Sequence, residues 1–265
     1  MYNLIDYPLA VFVLTLAGLT LASAFGVQIA RRRTARGGAH PDGGALDDGA
    51  REDFNIVLGG TLTLLGLIIG FTFSMALNRY DQRKNFEEEE ANAIGTEFVR
   101  ADLLPAAEGA KVRTLLKAYV DQRMRFYATR DRDALREINA ETAKVQAALW
   151  STVAGVAATQ PTPVVTLVVA GMNDVLNSQG YTQAAWWNRI PVAAWLLMLA
   201  IAVCANLLVG FGARRARREV LLLIVMPLVV AIAFFLIADI DSPRGGVIRV
   251  TPQNLHALHD LLRVQ

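Results

Sequence analysis

A chain of 265 residues that is 54% hydrophobic and only 19% charged is more apolar than an ordinary water-soluble domain of its length. The formal net charge of +2 is small, but the arginines behind it are clustered. A lone cysteine, Cys204, excludes an intrachain disulfide framework and paired-thiol chemistry, and is expected to be a small buried apolar residue.

Pro8 to Ala30 carries no charge and is long enough to cross a bilayer, with Pro8 tolerated in a first helical turn. It lacks a basic leader, and its apolar stretch is too long for a signal peptide, so it is expected to be a retained span. Arg31, Arg32, Arg33, Arg36 and Arg51 are assigned to the following loop. Within that loop, Gly37 to Gly49, with His40 and Pro41, is expected to be unstructured and without chemistry.

Phe54 to Leu77 is the second uncharged stretch and exceeds the length that a hydrocarbon core of about 30 Å requires. At about 100° per residue, Gly59, Gly60, Thr63, Gly66, Leu67, Gly70, Phe71, Ser74 and Asn78 fall on one side. Leu64, Leu65, Ile68, Ile69, Thr72 and Met75 fall mostly on the other. Small residues at spacing four, such as Gly66, Gly70 and Ser74, permit close helix approach. The same face also suits a pore wall, and spacing alone leaves both readings open.

Residues 78–189 read as an extramembrane helical domain. Apolar positions at Ala91, Ile94, Phe98 and Leu103 continue the second helix until Pro105. Val112, Leu116, Tyr119, Val120 and Phe126, then Ile138, Thr142, Val145 and Leu149, repeat at helical spacing. Lys117 with Asp121, and Asp121 with Arg125, have the spacing of surface ion pairs. Pro161 and Pro163 open a further helix, Val164 to Asn177, which Ser178-Gln179-Gly180 is expected to break. Trp186-Trp187 suits a membrane interface. Glu87 to Glu90 reads as solvated surface, or as a negative collar in a ring of subunits.

Ile190 to Ala213 and Val220 to Ala238 complete four spans, joined by a turn with Arg214, Arg215, Arg217 and Arg218. Asp239 and Asp241 suit a helix-terminal turn with Ser242-Pro243, and 239–265 ends in a short helix. His256 and His259 share a helical face, but two ligands do not close a metal site. Neither a convergent catalytic constellation nor a cofactor motif is evident, so catalytic residues, metal and cofactor are all expected to be none. Arginines beside membrane spans do not suggest nucleic acid.

The fold class is therefore all-α. It is a polytopic membrane protein divided into 1–53, the second span 54–77, the helical domain 78–189, the span pair 190–238 and the tail 239–265. Both basic loops are short, so the positive-inside rule puts them in the cytoplasm, with both termini and the helical domain outside.

Gly70-Phe71, Ala76-Leu77-Asn78-Arg79-Tyr80 and Arg83 resemble the end of the second helix of bacterial bestrophins. Glu90-Ala91-Asn92-Ala93-Ile94-Gly95-Thr96, followed by Arg100-Ala101-Asp102-Leu103-Leu104-Pro105, is similar to the bacterial bestrophin-like family, a domain of unknown function. Tyr119-Val120-Asp121-Gln122-Arg123, Ile190-Pro191, Asp241-Ser242-Pro243, Gly246 and Val250-Thr251-Pro252 extend the resemblance across nearly all of the chain after Phe54. It implies a homo-oligomer in a bacterial inner membrane, pentameric in bestrophins, with chloride as a permeant ion and a pore lined by the second helix. The implied constriction is Thr63, Leu67 and Phe71. Thr63 departs from the apolar pattern and would wet one ring. Bestrophins keep the helical domain in the cytoplasm, opposite to the orientation drawn from the arginines. The alternative to a channel is a non-conducting scaffold or sensor that binds partners through its helical domain.

Overall fold

A computed structural model of the protein describes residues 4–37, 48–213 and 220–264. The expected loop around His40 and Pro41 and the basic turn from Arg214 to Arg218 lie outside the described residues. Among those described there are two 3₁₀ turns, Leu4–Asp6 and Ala101–Leu103, and eight α-helices without a strand. The helices are α1 Pro8–Gly37, α2 Asp48–Arg100, α3 Ala106–Ala128, α4 Arg132–Thr159, α5 Pro163–Trp187, α6 Val192–Gly212, α7 Val220–Asp241 and α8 Gln253–Val264. Four helical stretches are long and apolar enough to cross a membrane, and they include α1, α2, α6 and α7. The protein is an all-α, multi-pass membrane protein.

The chain divides into two compact units, Met1–Asn78 with Arg189–Ile248, and Arg79–Asn188 with Arg249–Gln265. In the first, α1 packs along α6 and α7. Two glycines permit the α1–α6 approach: a Cβ on Gly26 would strike the Leu207 carbonyl, and one on Gly210 would strike the Ser23 backbone. Beside them the Ser23 hydroxyl donates to Asn206 Oδ1 at 3.4 Å, and the Asn206 amide donates to the Ala202 carbonyl at 2.8 Å. Polar groups without water at membrane depth must be satisfied in this way. Rings complete the packing, with Phe12 against Phe235, Trp195 against Phe234 and Phe54 against Phe211.

The second unit has its own core, built from the latter part of α2 with α3, α4, α5 and α8. Asp131 caps α4 by accepting from Asp133 N, and Thr162 caps α5 by accepting from Val165 N, with Pro163 in the first turn. Phe126, Tyr127 and Trp186 form a mutual aromatic cluster. Val250, Leu255 and Leu262 bring the tail into this core, so the helical unit is made of two stretches separated by the last two spans.

Several local expectations are corrected. Arg31, Arg32 and Arg33 lie on the last turns of α1, and Arg51 lies in the first turn of α2, because arginine is a good helix former and its charge suits a helix C-terminus. Ser178-Gln179-Gly180 does not end α5. Met172, Val175 and Thr182 are buried along the helix, and that packing outweighs the cost of about 1 kcal/mol of an internal glycine. Trp186 is buried in the aromatic cluster, whereas Trp187 is exposed. Cys204 is exposed on α6, while its neighbours Ala205 and Asn206 take the packed face.

Candidate functional site

Most of the candidate residues lie on two surfaces of α2. In its first half, Leu65, Thr72 and Ala76 are buried and lie at nearly the same angle around the helix. The small residues lie on the opposite side. A Cβ added at Gly59, Gly60, Gly66 or Gly70 would meet no other atom within 4 Å, and Leu67 and Phe71 are 51% and 62% exposed. Among the described residues, none lies against these four glycines. Thr63 is exposed there and donates its hydroxyl to the Gly59 carbonyl at 2.9 Å; Ser74 and Asn78 are also exposed.

In its second half, α2 turns charge inward. Arg83, Glu87, Glu90 and Glu97 are all buried, together with Ile94, at helical spacing. The expected solvated run or collar at Glu87 to Glu90 is therefore corrected: Glu88 and Glu89 face outward, while Glu87 and Glu90 face the core. Glu90 forms a two-pronged ion pair with Arg123 of α3, the Nη2 arm at 3.3 Å, and accepts from the Thr182 hydroxyl of α5 at 3.2 Å. Arg123 also lies over the Phe126 ring. Burial alone would lower the Arg123 pKa, but the charge of Glu90, the tyrosine hydroxyls and the Glu90 hydrogen bond together raise it, so the guanidinium stays charged. Burial likewise raises the Tyr119 and Tyr127 hydroxyls, with Glu90 adding to the effect. Glu87 caps α8, accepting from Leu255 N at 2.9 Å and from the Asn254 amide at 2.7 Å.

In the membrane unit, Asp241 ties the end of α7 to distant segments, while Asp239 closes the turn that follows the helix, where Ser242 Oγ also accepts from Gly245 N at 3.2 Å. Asp241 accepts from Arg189 at 3.2 Å and from Ile190 N at 3.2 Å, and Arg189 also holds Asp6 at 2.6 Å. Asp239 accepts from Val247 N and Ile248 N, both at 2.8 Å. His259 faces Asp121 at 3.2 Å while His256 is exposed, and no group of three metal-type ligands occurs among the described residues.

A profile of the bestrophin-like domain matches residues 40–255. The chain belongs to the bestrophin-like family. Solved structures agree on the fold. A variant of a bacterial bestrophin homologue from Klebsiella pneumoniae is 14% identical, with 100% of this chain and 97% of that one aligned and a TM-score of 0.65. A second variant is 14% identical over 95% and 97%, with a TM-score of 0.61. A further structure of the homologue, solved by zinc phasing, is 15% identical over 94% and 95%, with a TM-score of 0.58. None of the curated proteins is significantly similar in sequence.

Within this bestrophin-like fold, the residues quoted for the resemblance have definite positions. Arg83 is buried and donates from Nε to the Ala185 carbonyl at 3.3 Å and from Nη2 to the Asn188 carbonyl at 3.5 Å; Arg79 donates to the Asn188 side chain. Both arginines thus grip the C-terminal end of α5, where a cation satisfies free carbonyls and complements the helix dipole. Tyr80 packs on the core of the helical unit, Arg100 lies 4.0 Å from Glu97, and Pro243 is buried after Asp241 and Ser242. The inward roles of Glu87, Glu97 and Arg189 were missed from sequence. Their signal was the helical spacing of Glu87, Glu90 and Glu97 with Ile94, which a run of four acids obscures.

Proposed function

We propose that this protein is a homo-oligomeric ion channel, a pentamer by family resemblance, whose pore is lined by the small-residue face of α2. The observation that carries the reading is the orientation of that face. Gly59, Thr63, Gly66, Gly70 and Ser74 point away from the chain's own helices, opposite the buried Leu65, Thr72 and Ala76. Thr63, Ser74 and Asn78 make the face weakly polar, and Leu67 and Phe71 supply apolar rings that obstruct ions by dewetting a narrow passage. By the same resemblance the permeant ion is an anion such as chloride. The deciding experiment is flux through purified protein in liposomes. Phe71→Ala should raise anion flux at unchanged oligomer size. If wild type, Phe71→Ala and Leu67→Ala/Phe71→Ala assemble but pass neither anions nor cations, the protein is a scaffold or sensor.

The orientation we propose follows the arginines: Arg31, Arg32 and Arg33 at the end of α1 and the basic segment between α6 and α7 face the cytoplasm of a bacterial inner membrane. Both termini and the helical unit then face away from it. In a Cys204→Ala background, a cysteine at Arg130, in the exposed α3–α4 connection, should react with an impermeant thiol reagent in intact cells. Labelling only after lysis reverses the assignment.

A further inference from the structure

The Glu97 side chain is fully buried in the helical unit, and neither carboxyl oxygen has a hydrogen-bond partner. An ionised carboxylate is normally never left so, because a buried charge must be paired or neutralised. Its surroundings come from two helices. Gly171 of α5 lies directly against it, and a Cβ at that position would collide with both the Glu97 carboxyl and the Arg100 guanidinium. The absence of a side chain at Gly171 is thus what lets α5 close over the acid.

We propose that Glu97 is a proton-binding site, held as the neutral acid while α5 is closed over it at Gly171, and that loss of the proton loosens this contact.

The charged groups facing it are few. Arg100, one turn along α2, approaches to 4.0 Å but is itself partly exposed, so its charge is shared with solvent. Asp174, the one acidic residue in α5, repels a second negative charge. The 3₁₀ turn that packs on α5 carries Asp102, which is taken up by Arg113. From Val145 to Thr159, α4 has no ionisable residue. Burial is the leading cause that pushes the Glu97 carboxyl up to about 8; Arg100 opposes the rise and Asp174 adds to it. The sign follows from linkage. An acid whose folded pKa is raised leaves the folded state unpenalised below the ordinary carboxylate range, and stability falls from there until pH passes about 8.

Three measurements on the full-length protein in detergent test this. In wild type, infrared difference spectra should show a protonated carboxyl at pH 7 that disappears by pH 9, and the band should be missing from Glu97→Gln. Amide exchange in the Gly171 segment of α5, corrected for the intrinsic pH dependence, should rise about a hundredfold in wild type between pH 6 and pH 9, the free-energy equivalent of about two pKa units. The rise should be absent from Glu97→Gln. The melting temperature of Glu97→Gln should exceed that of wild type by a margin that grows from pH 5 to pH 8. The infrared band and exchange of wild type alone decide the matter if the variant does not fold. Absence of the band at pH 7, or a melting difference that stays constant with pH, overturns the proposal. None of these readouts requires conduction, so failure of the channel reading leaves them intact.

Discussion

The first half of α2 turns glycines away from its own chain, whereas the second half turns carboxylates into it. In the first half, polar groups are satisfied by the helix itself: the hydroxyls of Thr61, Thr63 and Thr72 each donate to the carbonyl four residues back, at 2.8–2.9 Å. In the second, Glu87 and Glu90 reach other helices, and their partners are the α8 N-terminus and Arg123. The difference teaches how the surroundings set the choice. At membrane depth no water offsets the burial of a charge, so only short side chains that bond locally are cheap. In the helical unit a charge pair can be buried if both members are well bonded, and it then fixes which helices meet.

The largest expected effect comes from breaking that pairing. Arg123→Met should leave Glu90 buried with only the Thr182 hydroxyl and destabilise the protein by about 3–5 kcal/mol, while Glu90→Met/Arg123→Met should recover most of the loss. Denaturant unfolding in detergent, followed through the aromatic cluster at Phe126, reads both. A single-variant loss below about 1 kcal/mol would mean that the pair contributes little to the helical unit. A smaller effect sharpens the membrane side. Gly210→Ala drives a Cβ into the Ser23 backbone and should cost about 1–3 kcal/mol. Gly66→Ala meets open space and should leave the stability of the protomer within about 0.5 kcal/mol. Equal losses in the two variants would show that the outward face of α2 is as tightly packed as the α1–α6 crossing.

The spans were legible because length and absence of charge are local properties: Pro8 to Ala30, Phe54 to Leu77, Ile190 to Ala213 and Val220 to Ala238 correspond to parts of α1, α2, α6 and α7. The helical amphipathicity of α3 and α4 was legible for the same reason. What escaped depends on partners distant in sequence. Glu90 looks like one acid among four until Arg123, 33 residues on, is brought beside it. Glu87 needs Leu255, 168 residues on, to explain its burial. Ser178-Gln179-Gly180 has the composition of a break, but the buried residues on either side carry the helix through. The small face of α2 was visible as a pattern, and only the burial of Leu65 and Ala76 fixed which way it points.

The cap that Glu87 places on α8 has a consequence for biosynthesis. Glu87 leaves the ribosome long before Asn254 and Leu255, and α6 and α7 must be made in between. Domains usually fold in the order they are synthesised. Here the helical unit holds an acid without its intended donors until the last two spans have been delivered to the bilayer. A chain ending after α5 would therefore lack both donors to Glu87 and the Leu255 and Leu262 side chains that complete the core.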